Sequence, residues 1–412
     1  MAVGRDGRTT SPMLEDALVR GLAAGGVDVV RIGVGPSPML YYAEAAGVGG
    51  QPVDGGIQVT GSHNPRDHNG FKMVLGHRSF WGADIAALAA LGPDGGWSEG
   101  TGAVTDAAML PAYVDRLMAG YDGGAFRIGW DCGNGAAGPA VEALTQLLPG
   151  EHHLLFTDVD GDFPNHHPDP SEEANLADLK RLVADKRLDF GFAFDGDGDR
   201  IGVVDPRGRV LWGDQLLMLL AEPLLAELPG ATVIADVKSS QALFDRVARL
   251  GGRALMAKTG HSAIKSMMVQ TGAPLAGELS GHIFFGQDYY GFDDALYAAV
   301  RLIRAIHLSG RSLADLVDAM PALVSTPDLR IAVPETRKAA IVAEVRDRLL
   351  AAGSTPDTTD GVRVASDDGW WLLRQSNTQG AITVRAEGRD RAALDRLLAQ
   401  VDDALAASGV RR

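Results

Sequence analysis

The sequence holds a single cysteine, Cys132, so no internal disulfide can form and a secreted, disulfide-stapled design is excluded. Basic residues are also in the minority. Thirty-eight Lys and Arg stand against 53 Asp and Glu, leaving a net charge of −15, the wrong sign for affinity built on neutralising nucleic-acid phosphates. Long apolar runs are missing: the most apolar stretch, Leu216 to Leu228, is broken by Glu222 and Glu227, well short of the roughly 20 residues a membrane span needs. It reads as a buried helix. The opening MAVGRDGRTT has neither the basic start nor the apolar core of a secretory leader. Short repeats and low-complexity tracts are absent. Together these absences predict a soluble, cytoplasmic protein with neither nucleic-acid nor membrane partners.

What is present is a globular composition, 46% apolar with 52 glycines over 412 residues, too much chain for one core; three or four domains are expected. Strand-length apolar runs alternate with helical periodicity: Val27–Val34, Ile57–Gly61 and Phe126–Asp131 as strands, Asp84–Leu91 and Leu176–Lys186 as helices. That alternation predicts α/β units with helices over a parallel or mixed sheet. The Gly-, Ser-, Thr- and Asp-rich stretch Leu91 to Asp106 reads as a linker, placing a first boundary near residue 107.

Three apolar strands each run into a polar loop: GIQVTGSHNP, DFGFAFDGDGD and PLAGELSGH. Loops at the carboxyl ends of strands are where open α/β sheets place ligands. In the second loop Asp195, Asp197 and Asp199 alternate with Gly196 and Gly198, so three carboxylates can converge as oxygen donors for a hard cation such as Mg2+. An Asp/Gly turn is the plain alternative. An EF-hand is excluded, since Arg200 and Pro206 stand where that loop needs Gly and Glu. The first loop presents Ser62 beside His63, with Lys72 ten residues on; it lacks the Gly-x-Ser-x-Gly elbow of esterases and also suits a turn without chemistry. Glu278, Ser280 and His282 in the third loop could bond adjacent sugar hydroxyls, or be structural. Near the C-terminus Arg374, Ser376, Asn377 and Thr378 gather a guanidinium, hydroxyls and an amide of the kind that cradles phosphate, or cap the next strand.

Taken together, TGSHNP with NGFK, DGDGDR, GELSGH and RQSNT resemble the α-D-phosphohexomutase superfamily, in its order and at its spacings, over nearly the whole chain. Within it, TGSHNP with GELSGHIFF is similar to the bacterial phosphomannomutase/phosphoglucomutase branch. The resemblance implies three related α/β mixed-sheet domains and a C-terminal α+β domain around a central cleft, at 1–107, 108–209, 210–322 and 323–412. It implies Ser62 as phosphorylated nucleophile, and Asp195, Asp197, Asp199 and a Ser62 oxygen as ligands of one Mg2+. Glu278 and Ser280 would read the sugar; Arg374, Ser376, Asn377 and Thr378 would hold the phosphate that is not reacting. Arg200, Lys238, Lys258 and His261 fall in cleft-lining stretches, and Lys72 and His282 are the candidates for proton transfer. The implied reaction interconverts hexose 1-phosphate and hexose 6-phosphate of mannose or glucose, with glucose or mannose 1,6-bisphosphate as activator, in a monomer or weak homo-oligomer. The family's opening F-R-x-Y-D-I-R-G segment has no counterpart ahead of Met1-Ala2-Val3-Gly4-Arg5, so an opening strand and helix are expected to be missing. Two rivals stand beside this reading: a haloacid-dehalogenase-type phosphatase using Asp195, and a shortened sugar-phosphate binder without turnover.

Overall fold

The computed structural model describes residues 1–92, 95–376 and 380–412. Among these the chain builds four sheets in succession. In the first, Ala2–Arg5 lies at the centre, parallel to Val29–Val34 on one side and Gly55–Val59 on the other. The stretch read as a linker also delivers a strand, Val104–Asp106, which pairs with Val29–Arg31; pairing of this sort depends on a partner about seventy residues away, which local composition does not record. The second sheet is built on Phe126–Asp131, parallel to Gly150–Leu155 and Phe190–Phe194. In the third, Thr232–Asp236 is flanked in parallel by Arg253–Ala257 and Leu275–Gly277.

All three sheets then make the same move. The last parallel strand turns back on itself as an antiparallel hairpin: Val59 opposite Phe71, Phe194 opposite Ile201, Gly277 opposite Ile283. The polar segments singled out in the sequence are those hairpin loops, 60–70, 195–200 and 278–282. The fourth sheet is antiparallel throughout, with Gln375 opposite Ile382. Helices Lys338–Ala351 and Arg391–Ala406 pack on it.

Burial shows which units share an interior. One continuous apolar core runs from Ala2 and Met39 through Trp130 and Phe192 to Leu217, Phe285 and Leu296, so the first three units share an interior. The fourth has its own core around Val345, Trp371, Val384 and Leu397. It meets the third through a small cluster, Val237, Met256, Trp370 and Leu372. The helix Gly213–Glu227 is buried along most of its length, in keeping with the apolar run Leu216–Leu228. The helix Ala83–Leu91, by contrast, buries none of its residues, although Ile85, Leu88 and Leu91 are apolar. Among the described residues no helix is long and apolar enough to cross a membrane.

Candidate active site

The serine loop is held from beneath by two residues at the end of the first strand. The Arg8 guanidinium, almost fully buried, donates to the carbonyl oxygens of Ser62 at 2.6 Å, Asn64 at 2.7 Å, Pro65 at 2.6 Å and His68 at 3.0 Å. Asp6 accepts from the Thr60 hydroxyl at 2.8 Å and the Gly61 amide at 3.2 Å, and Thr60 Oγ1 in turn accepts from the Ser62 amide at 2.8 Å. This scaffold places Ser62 at φ 49°, a left-handed conformation unusual for a residue with a side chain. Sequence reasoning passed over Arg8 and Asp6. Their only signal is a pair of charges directly after an apolar strand.

From that perch Ser62 Oγ donates to Asp195 Oδ2 at 2.8 Å and lies 3.2 Å from His63 Nδ1. The two loops meet closely enough that a Cβ on Gly196 would stand 2.4 Å from the Ser62 carbonyl oxygen, so glycine is required there by space. Asp195, Asp197 and Asp199 are fully buried, with one oxygen from each mutually within 4.8 Å. Asp195 Oδ1 accepts from the backbone amides of Asp199 and Arg200. Oδ2 of Asp197 accepts from Ser37 Oγ and, at 2.6 Å, from Lys72 Nζ, which also bonds Asp199 Oδ2. Among the described residues, Oδ1 of Asp197 and of Asp199 find no hydrogen-bond partner. Burial and the neighbouring Asp197 and Asp199 push the Asp195 carboxyl well above its ordinary range. Burial would lower Lys72, but Asp197 and Asp199 outweigh it and raise the ammonium well above its usual value. Three buried carboxylates facing one another, two with an oxygen unpartnered among the described residues, could hold a hard divalent cation. Ser37 was not anticipated from the sequence; it follows strand Val29–Val34 at its carboxyl end.

His63 is pushed down to about 3, first by burial and then by Arg200, so it stands neutral beside the serine at neutral pH. Arg200 reaches across to the third loop, its Nε donating to His282 Nε2 at 2.9 Å. An arginine N–H only donates, so Nε2 is an acceptor here and the ring proton is assigned to Nδ1. That nitrogen approaches Asp293 Oδ2 to 2.9 Å without the alignment of a full hydrogen bond. Asp293, unmarked in the sequence reading, also accepts from Lys265 Nζ at 2.9 Å and lies 3.5 Å from His261. His261 stacks on His282 with ring centroids 5.4 Å apart; burial, then Lys265, holds it well below its usual value. Glu278 is buried and accepts from the Gly260 amide, and Ser280 Oγ donates to it at 3.2 Å.

The remaining candidates bring in the fourth sheet. Arg374 Nε donates to Asp360 at 2.9 Å, and Lys238 Nζ pairs with Asp328 at 3.2 Å across the third and fourth units. Ser376 is buried, its amide bonded to the Ala381 carbonyl and its own carbonyl to Lys338 Nζ. Lys258 is exposed after strand Arg253–Ala257. Asn377 and Thr378 lie outside the described residues. An Asp195 nucleophile fits this geometry poorly, since both its oxygens are engaged by donors from neighbouring backbone and Ser62. The Ser62 hydroxyl, by contrast, lies against a buried carboxylate and beside three carboxylates that could hold a cation.

Comparison with known proteins gives the family. Four family models match in order: phosphoglucomutase/phosphomannomutase alpha/beta/alpha domain I at residues 1–85, domain II at 111–208, domain III at 212–323 and the C-terminal domain at 329–404. The chain is 41% identical over 398 residues to a phosphomannomutase/phosphoglucomutase of Pseudomonas putida, covering 96% of this chain and 85% of that protein. It is 41% identical over 402 residues to a phosphoglucomutase of Neisseria gonorrhoeae, covering 96% and 86%. A crystal structure of a phosphoglucomutase/phosphomannomutase family protein from Burkholderia thailandensis superposes with a TM-score of 0.91 at 40% identity, over 99% of this chain and 89% of that one.

Proposed function

Because the chain belongs to the phosphoglucomutase/phosphomannomutase family, and is on that ground a mutase and an isomerase, we propose that Ser62 carries its phosphoryl group between the two ends of a hexose phosphate. The substrates are hexose 1-phosphate and hexose 6-phosphate, of glucose, mannose or both. The observation that carries this reading is the meeting of the serine and aspartate loops, with Ser62 Oγ 2.8 Å from a buried carboxylate that belongs to a cation-type donor set.

The residues divide the work by chemistry. Asp195, Asp197 and Asp199, with an oxygen of Ser62, would hold one Mg2+, whose two orphaned carboxylate oxygens are otherwise unexplained. Bound there, it supplies a Lewis acid for the phosphoryl oxygens. Lys72 adds a fixed positive charge beside the transferring group. In the first transfer the Oγ–P bond of phospho-Ser62 breaks as the sugar's free hydroxyl oxygen bonds phosphorus, and that hydroxyl's proton passes to His282, whose Nε2 must first give up the bond it accepts from Arg200 Nε. A hexose 1,6-bisphosphate results. Turned end for end, it returns its other phosphate to Ser62, and the proton on His282 goes back to the oxygen released. Glu278 and Ser280 hold sugar hydroxyls in either orientation, while Arg374, Ser376, Asn377 and Thr378 grip the phosphate that is not reacting, aided by Lys238, Lys258 and His261 along the cleft. A hexose 1,6-bisphosphate is the activator because it loads an unphosphorylated Ser62. The four domains take the bounds read from the sequence, and the protein works in the cytoplasm as a monomer or weak homo-oligomer.

The test is a coupled assay with Mg2+, glucose 1-phosphate and a trace of glucose 1,6-bisphosphate, glucose 6-phosphate being read by its dehydrogenase. Turnover that vanishes in Ser62→Ala is expected. Turnover that survives it assigns the phosphoryl carrier elsewhere, and an inactive wild-type chain that still binds glucose 1-phosphate favours a binding protein.

A further inference from the structure

Arg374 sits at the end of strand Gly369–Gln375 with only 6% of its surface exposed. Its Nε donates to Asp360 Oδ2 at 2.9 Å, and its Nη2 is buried with no hydrogen-bond partner among the described residues. A guanidinium is a rigid planar fork, so a partner fixed at Nε determines where the nitrogens on the other side aim. The same Asp360 oxygen accepts a second bond, at 3.1 Å, from the backbone amide of Thr259. Thr259 belongs to the third unit, in the loop that leads to His261 and whose Gly260 amide bonds Glu278. One carboxylate oxygen thus joins the phosphate arginine of the fourth unit to the sugar side of the third.

The two units meet over a narrow contact. The fourth has a core of its own, and its contact with the third is the small cluster of Val237, Met256, Trp370 and Leu372, with polar links such as Arg363 Nη1 to the carbonyl of Val237 at 2.8 Å. If they separate, Asp360 loses Thr259 and nothing from the third unit holds the carboxylate in place.

We propose that Asp360 is a positioning residue that aims Arg374 at the substrate's non-reacting phosphate while Thr259 of the third unit holds the carboxylate in place. This rests on the mutase reading, in which Arg374 binds phosphate, and adds to it the group that makes the grip conditional. Asp360 touches no substrate; it acts through the arginine and through Thr259.

The experiment is a double-mutant cycle on the full chain, with Asp360→Ala, Asp360→Asn, Arg374→Ala and the double alanine variant compared in the glucose 1-phosphate assay, each with its melting temperature. Asp360→Ala is expected to raise KM about ten-fold, the scale on which loss of an outer orienting partner is felt. Asn, whose amide oxygen still accepts from Nε, recovers most of that loss. In the Arg374→Ala background the alanine at 360 adds nothing further to KM, because its effect runs through the arginine. Effects that multiply in the double variant, or an Asp360→Ala protein whose melting temperature falls while KM holds, overturn the proposal and leave Asp360 a structural clasp. An inactive wild type counts against the mutase reading alone; calorimetric binding of glucose 6-phosphate then runs the same cycle, with the same two outcomes for Asp360.

Discussion

Arg8 Nη2 donates to the carbonyl oxygen of Ser62 at 2.6 Å, and the guanidinium that does so is spent entirely on the backbone of the serine loop and on Asp6. Ser62 is held at φ 49°, a conformation that costs about 1–3 kcal/mol and persists only where its surroundings over-determine it. Arg8 is that surrounding. The fit leaves no room for a side chain at Gly61, whose Cβ would stand 2.6 Å from the guanidinium.

Arg8→Lys therefore keeps the charge and loses the fork. An ammonium has three donors in a different geometry and cannot reach four carbonyl oxygens that a planar guanidinium spans. Leaving buried acceptors unmet is expected to cost about 3 kcal/mol of stability, read by urea unfolding. Turnover should fall by about 100-fold, the cost of a nucleophile misplaced by an ångström. A lysine variant with unchanged turnover would show that the loop keeps its shape without the fork.

Cation removal gives a second expectation. With Asp197 Oδ1 and Asp199 Oδ1 unpartnered in a fully buried setting, a divalent ion that binds only the folded chain stabilises it by mass action. At one hundred times its dissociation constant Mg2+ should add about 2.7 kcal/mol to the unfolding free energy, and EDTA should remove it. Asp199→Asn should abolish the difference, since it replaces a carboxylate oxygen of the set. Melting curves that coincide in Mg2+ and EDTA would contradict the metal assignment without reference to catalysis.

How much of this was legible beforehand depends on how local the signal is. Strands Phe126–Asp131 and Phe190–Phe194 match their apolar runs, and the loops carrying Ser62, Asp195 to Asp199 and Glu278 to His282 are visible because polar residues cut off an apolar strand. That those loops are tips of antiparallel hairpins was not visible, since the return strands Phe71–Leu75, Ile201–Val204 and Ile283–Phe285 are short and defined by pairing. Helix Leu176–Lys186 resolved into a 3-10 turn, Glu173–Leu176, and a helix, Ala177–Lys186. The supporting residues were the least legible. Apart from Asp6 beside Arg8, the partners of Arg8, Ser37, Asp293 and Asp360 lie 11 to 160 positions away in sequence, and no spacing rule joins such pairs.

The junction of the first three units supplies a pH prediction. Asp294, next to the Asp293 that touches His282, is buried and accepts from the hydroxyls of Tyr289 at 2.6 Å and Tyr113 at 3.1 Å and from the Tyr297 amide at 2.9 Å. Tyr113 in turn packs against Tyr42, and Tyr42 against Tyr290. Burial pushes the Asp294 carboxyl up to about 6 in spite of those donors. In the unfolded chain it titrates near the ordinary value of about 3.9. Between these the folded protein keeps a proton that the unfolded chain has released. Its contribution to stability is thus fully present below about pH 4 and lost as pH rises through about 6. Asp294→Asn cannot titrate, so its unfolding free energy should gain on the wild type by about 2 kcal/mol between pH 4 and pH 7, after any constant offset is removed. Urea unfolding of the two proteins across that range checks it. A constant difference at every pH would show that the aspartate ionises in the folded protein as freely as in the unfolded one, and that the tyrosine cluster holds its carboxylate without strain.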